Sequence, residues 1–256
     1  MSATPNAFDN DDRSEHLRAS PPLLPWPMLD RLTRVHPAVP ALLYGPVVAV
    51  LAGFALDRMG VLEVLGLAIV GYALWTLTEY WLHRIVFHFE PEKGIGAKLH
   101  WLIHGVHHEH PNDPHRLVMP PSASIPLAAV FLVVYRLVFG APAWLAVSAG
   151  FLVGYIVYDT MHWYLHHRIP RGRVGRRLRE LHLRHHFQDD TRGFGISAPY
   201  WDRVFRTAPR SRRGARDGRV LAPDLLGGLD DQAQLVPLLV VGDRVALGGR
   251  GEAALR

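Results

Sequence analysis

The chain has 256 residues, 49% of them hydrophobic, with a mean hydropathy of +0.06 and no cysteine. That average is too apolar for a disordered chain and too charged for one made only of membrane helices. The missing thiols exclude a disulfide framework, a thiolate zinc site, a cysteine-ligated iron–sulfur cluster and a cysteine nucleophile. The surplus of 28 Lys+Arg over 23 Asp+Glu raises nucleic acid as a partner, a reading that the placement of the charges removes.

Residues 1–38 are polar and Pro-rich, without a sustained period, and read as a mobile N-terminal tail with a short interfacial stretch at Pro21–Leu32. No basic segment leads directly into an apolar core, so a cleaved secretion signal is not expected. Four apolar stretches follow: Val39–Leu56, Val61–Leu82, Val118–Tyr135 and Ala141–Tyr158. A helix rising ~1.5 Å per residue needs about 20 residues to cross the hydrocarbon of a bilayer, so each is a credible span. Buried core helices would explain any one of them, but two tightly linked pairs favour membrane spans. The predicted fold is all-α and integral to the membrane: four transmembrane helices in two hairpins.

Two hairpins return residues 1–38, 83–117 and 159–256 to one side. Those segments hold 26 of the 28 Lys+Arg, leaving Arg58 and Arg136 near the other face. This asymmetry marks the shared side as cytoplasmic and explains the basic balance without nucleic acid. The arginines of Arg168–Arg184 then lie near anionic head groups or on a solvated helix face. Residues 39–207 form the membrane and catalytic domain. Residues 208–256, with an apolar run at Leu235–Val241 too brief to span, read as a flexible tail.

The 16 histidines gather where apolar segments end. His83 and His88 leave the second span, followed by His104, His107 and His108. His162 and His166 leave the fourth span, followed by His182, His185 and His186. Residues three and four apart share a helix face, so each of the last three clusters is expected to converge on one stripe. His83 and His88, five apart, need a bend or a wide turn. Any one such cluster is commonly surface decoration, but four on one side of the membrane are not. Neutral imidazoles held together call for a cation, and ten nitrogens exceed what one metal with an open position takes, so two metals are expected. His16, His36, His100, His110, His115 and His167 lack the phase or lie in loops. Glu79 and Asp159, one turn before His83 and His162, are candidates to accept an imidazole N–H.

The order His-x4-His, His-x2-His-His, His-x3-His-His, His-x2-His-His after paired spans resembles the fatty acid hydroxylase superfamily of membrane di-iron oxygenases. Three stretches look like the fatty acid 2-hydroxylases that act on sphingolipid acyl chains: His104-Gly-Val-His-His with Arg116-Leu-Val-Met-Pro-Pro121, then Tyr158-Asp-x-x-His-Trp-x-Leu-His-His167, then Gly193-Phe-Gly-Ile-Ser near Trp201-Asp-Arg-Val-Phe205. The resemblance covers about residues 60–207. It places the metal ligands on the same ten histidines and implies a cytosolic histidine-rich catalytic cap on the four membrane helices, two iron ions, with zinc able to take their place in crystals, and O2 as co-substrate. The reaction it implies is hydroxylation at C2 of a fatty acid or sphingolipid N-acyl group.

Many eukaryotic members carry a cytochrome b5 domain that 38 residues cannot hold, so an external electron donor, such as a separate cytochrome b5 or ferredoxin, is expected. The expected location is the bacterial inner membrane, or the endoplasmic reticulum in a eukaryote, with the active site facing the cytoplasm. Arg116, Tyr158, Trp163, Tyr164, Tyr200 and Trp201 are candidates for lipid head-group and entrance contacts. The alternatives are a sterol or carotenoid oxygenase or desaturase of the same superfamily, and a metal transporter or storage protein. The last is disfavoured because the span centres carry no histidine.

Overall fold

The computed structural model describes residues 7–89, 91 and 93–210, with the backbone alone for 7–11; the Leu235–Val241 run and nearly all of the expected C-terminal tail lie outside the described residues. Among them all regular structure is helical: α1 (Ala7–Arg18), α2 (Pro27–Arg31), α3 (Val39–Leu56), α4 (Val61–Trp81), α5 (Gly94–His100), α6 (Val106–Glu109), α7 (Pro121–Phe139), α8 (Ala143–His167), α9 (Arg173–Phe187) and α10 (Tyr200–Val204). A π turn at Leu82–Phe87 continues α4, and another at Trp101–Gly105 joins α5 to α6.

Four helices are long and apolar enough to cross a membrane: α3, α4 with its π turn, α7 and α8. The first starts and stops where the sequence predicts. The third begins at Pro121 instead of Val118, because proline at a helix start gives up an N–H that has no helical acceptor there. The fourth runs on from Tyr158 to His167, so His162 and His166 extend a span and do not follow one.

The spans are not equivalent. About 67% of the apolar window of α8 is buried inside the protein, against 11% for α7. The central helix is therefore α8, with α3, α4 and α7 packed around it. The outward face of α7 exposes Val130, Val133, Leu137 and Val138, which suits hydrocarbon and would be a liability in water. With these apolar faces, the protein is an integral membrane protein.

Close approach of α4 to α8 depends on small residues. A Cβ on Gly150 would lie 1.9 Å from the Ala68 carbonyl oxygen, and one on Gly71 would lie 1.9 Å from that of Val147. Such backbone contact is the usual way helices associate in lipid, where burying apolar surface gives no advantage over solvation by acyl chains. Below this crossing, Trp75 meets Phe151, Tyr155 and Tyr158 with ring centroids 5.1–5.5 Å apart. Trp75, Met119, Ser124, Phe131, Phe151 and Tyr155 border a narrow apolar slot among α4, α7 and α8.

The N-terminal segment holds more structure than its composition announces. The Asp30 carboxylate accepts the N–H groups of Leu23 and Leu24 and pairs with Arg34 at 2.6 Å. Val35 N–H donates to the His115 carbonyl, and Asn112 N–H donates to that of Leu17. These bonds fix the described part of the segment to the loop between α6 and α7.

Candidate metal centre

The ten histidines selected by spacing come together, in two sets of five. His83, His88, His104, His108 and His185 form one set; His107, His162, His166, His182 and His186 form the other. Within each set the candidate ligand atoms all lie within 4.8 Å of one another. The sets adjoin, since the His108 and His186 rings are 4.3 Å apart at their centroids.

Three local features place the rings. The π turn after α4 lets His88 N–H bond the His83 carbonyl at 3.2 Å, so residues five apart share a face. The i,i+4 pairs His104/His108, His162/His166 and His182/His186 each stay within one set. His107 and His185 instead serve the opposite set from their neighbours. Adjacent helical residues diverge by about 100°, so the two imidazoles of a His-His dipeptide look to different sides. The single stripe expected for each three-histidine cluster is thus resolved into two, while His162 and His166 keep one.

The rings aim their Nε2 atoms inward. Nε2···Nε2 separations run from 2.7 Å for His166–His182 to 3.3 Å for His83–His88. A cation about 2.0–2.1 Å from each nitrogen would set neighbouring donors about 2.9 Å apart in an octahedral shell. His83 Nδ1 donates to the Phe194 carbonyl at 2.7 Å, and His185 Nδ1 donates to the Arg192 carbonyl at 2.8 Å. The Nε2 atoms of those two neutral rings therefore carry lone pairs, and His88 Nε2 lies 3.3 and 3.0 Å from them. Nitrogens gathered at that distance could share one cation. The donor set fits a metal.

Charge state agrees with that fit. Burial and neighbouring imidazoles hold His88 down to about 3 and His108 to about 2. Burial lowers His185 to about 4 although its bond to Arg192 pulls the other way. For His104, His107, His182 and His186, burial and then the surrounding imidazoles push protonation well below the usual histidine range. Neutral imidazole is the ligand form.

The carboxylates expected beside the imidazoles bond elsewhere. Glu79 accepts both the Ser197 N–H and the Ser197 hydroxyl. Asp159 accepts the Met119 N–H at 3.3 Å. For His83 and His185 backbone carbonyls take the N–H role, because the 192–197 loop closes over the first set. Asp202 holds that loop by accepting Phe194 N–H and Gly195 N–H, each at 2.9 Å, and Gly193 turns it at a φ of +83°. Spacing could not reveal Arg192, Phe194, Ser197 and Asp202; Phe194 and Ser197 were signalled by the Gly193-Phe-Gly-Ile-Ser stretch and Asp202 by Trp201-Asp-Arg-Val-Phe205.

Of the six expected lipid contacts, Tyr158 alone stacks on a site imidazole, that of His162, at 5.9 Å. Arg116 is buried between Asp30 and Asp113, 3.5 and 3.7 Å away, so its charge is engaged in the fold. Trp163 donates to the Pro114 carbonyl. Tyr200 and Trp201 bond Thr76 and tie α10 to α4. Tyr164 is part-exposed on α8.

Comparison with known proteins agrees with this centre. The family model described as fatty acid hydroxylase matches residues 68–207. The chain is 40% identical over 150 residues to the dihydroceramide fatty acyl 2-hydroxylase FAH1 of Arabidopsis thaliana, covering 59% of this chain and 63% of that protein. It is 42% identical over 186 residues to the ceramide very long chain fatty acid hydroxylase SCS7 of Saccharomyces cerevisiae, covering 70% of this chain and 47% of that one. The chain thus spans about half to two thirds of the length of these curated relatives. A solved structure titled "Full length scs7p (only hydroxylase domain visible)" superposes with a TM-score of 0.68 at 32% identity, covering 82% of this chain and 91% of the other.

Proposed function

This chain belongs to the fatty acid hydroxylase family, and on that premise we propose that it is a membrane monooxygenase that hydroxylates a lipid acyl chain at C2, on a fatty acid or a sphingolipid N-acyl group. The observation that carries the proposal is the convergence of ten neutral imidazoles into two adjoining sets at the ends of apolar helices. His83, His88, His104, His108 and His185 would hold one iron, and His107, His162, His166, His182 and His186 the other. The chemistry the bound iron pair supplies is activation of O2 and transfer of one oxygen atom into a C–H bond, with the second oxygen reduced to water by two electrons and two protons from an external donor system.

The protein's own groups do the rest. The Arg192 and Phe194 carbonyls fix the tautomers of His185 and His83, keeping Nε2 free to bind metal. Tyr158 and Trp75 make a dry aromatic wall between His162 and the apolar slot. An acyl chain would bind along the exposed apolar faces of the spans, each buried CH2 contributing about 0.8 kcal/mol. We assign the spans to two hairpins, residues 39–207 to the catalytic unit and its polar cap to the cytoplasmic side, on the distribution of arginine and lysine. Electrons then come from a separate cytosol-facing protein such as cytochrome b5 or a ferredoxin.

The test is lipid mass spectrometry of cells expressing the intact chain with a suitable reductase system, under oxygen. Acyl chains should gain one oxygen at C2, and this gain should vanish without O2. Acyl products that only lose two hydrogens, or modified polyenes alone, would overturn the assignment.

A further inference from the structure

Beyond the ten clustered imidazoles, a third group of metal-ligating side chains lies on the outer surface of the cap. His16 on α1, Glu109 at the end of α6 and His110 just after it each offer one donor atom, and those atoms lie within 4.8 Å of one another. His16 Nε2 stands 3.8 Å from Glu109 Oε1, and the His16 and His110 rings are 4.7 Å apart at their centroids.

Two readings compete. An exposed His16–Glu109 ion pair contributes about 0–1 kcal/mol and by itself involves no atom of His110. The geometry of His110 favours the other. Its Nδ1 donates to the His16 carbonyl at 2.6 Å, which places the lone pair of the neutral ring on Nε2. His83 and His185 are held by the same kind of bond. A carbonyl that fixes the tautomer of a ring is the support a metal-ligating imidazole receives. Asn112 N–H donating to the Leu17 carbonyl at 3.0 Å holds the same two segments together from the other side, so their relative placement is braced twice.

We propose that His16, Glu109 and His110 form a peripheral site for a divalent transition ion, which clasps α1 to the turn leaving α6. Two imidazoles and a carboxylate make a borderline donor set suited to zinc, and closing the 3.8 Å separation to the about 3.4 Å edge of a tetrahedral shell takes only side-chain rotation. The half-exposed His16 and Glu109 leave the fourth position to water. The site is independent of the oxygenase reading, because it shares no ligand with the two buried sets.

The experiment is zinc stoichiometry on the full chain purified in detergent, equilibrated with free zinc and measured by elemental analysis, for wild type, His16→Ala and Glu109→Gln. The wild type should hold three ions, one of which a brief chelator wash removes, and each variant should hold two. Zinc should also protect the Arg13 and Arg18 bonds of α1 from trypsin in the wild type and not in His16→Ala. A wild type that saturates at two ions, or variants that keep the wash-labile third, would overturn the proposal. If the buried sets fail to bind while the labile ion remains, the oxygenase reading fails and the clasp stands.

Discussion

Replacing Gly150 with alanine tests whether the α4–α8 crossing positions the metal centre. The new Cβ would sit 1.9 Å from the Ala68 carbonyl oxygen, whereas ordinary contact begins near 3.4 Å. The helices must therefore part by about 1.5 Å locally, and neither neighbour is a side-chain tip that could swing away. Overpacking of this kind costs about 1–3 kcal/mol, and disturbing the Trp75–Phe151 and Trp75–Tyr155 edge contacts adds about 0.5–1.5 kcal/mol each. The displacement also matters at a distance. His83 rides at the end of α4 in one set, while His162 and His166 ride on α8 in the other. Metal shells tolerate about 0.2 Å, so part of a 1.5 Å shift transmitted along either helix is enough to weaken binding. Gly66 of α4 serves as the control, because a Cβ there meets nothing within 4 Å and alanine gains about 1 kcal/mol of helix propensity. Detergent-solubilised protein should melt lower and hold less metal with Gly150→Ala, and melt at or above wild type with Gly66→Ala. Equal melting and metal content for Gly150→Ala and wild type would refute the reasoning.

His185→Ala and His107→Ala remove one donor from different sets, so each should lower the content of buried metal and abolish oxygen insertion; a variant that keeps full activity would remove that histidine from the ligand set. Asp202→Asn leaves a loop N–H without its acceptor, at a cost of about 1–3 kcal/mol, and should weaken metal binding about 10–100-fold by loosening the Phe194 carbonyl from His83, as read by chelator competition on the folded protein. In the metal-free protein His88, His108 and His185 titrate near 3, 2 and 4 in place of the ordinary 6.5. The unfolded chain therefore takes up protons below 6.5 that the folded chain refuses, so the stability these groups contribute is complete above that value and is lost as pH falls from 6.5 through 4 and 3 to about 2. Thermal melts of metal-free protein across that window should fall steadily, and a flat profile would contradict the burial of these rings.

The spans were legible because length and apolar composition are properties of a segment alone, and hydrocarbon imposes both. The ten histidines were legible because three- and four-residue spacing on a helix is likewise local. What local spacing could not give was the partition between sets. His107 and His108 are neighbours in sequence, and only the positions of α8 and α9 decide that one faces His162 and the other His185. The five-residue gap from His83 to His88 shows how near the limit lies: the sequence demanded a wide turn there, and the backbone supplies one without proline or glycine to announce it.

The carboxylates were misread for a related reason. Glu79 and Asp159 stand one helical turn from ligands, which makes them neighbours in pattern, yet each acid meets a different chain segment, Ser197 and Met119. Arg116, expected at a lipid head group, is instead buried between the near Asp113 and the distant Asp30, the latter on a segment that carries no periodic signal. In each case a partner distant in sequence joins or replaces the near one, because a buried polar group is satisfied by whichever partner the tertiary fold delivers. The supports of the metal centre therefore come from loops, and it is the glycine at 193, with its left-handed φ, that lets backbone carbonyls reach imidazoles where a carboxylate was expected.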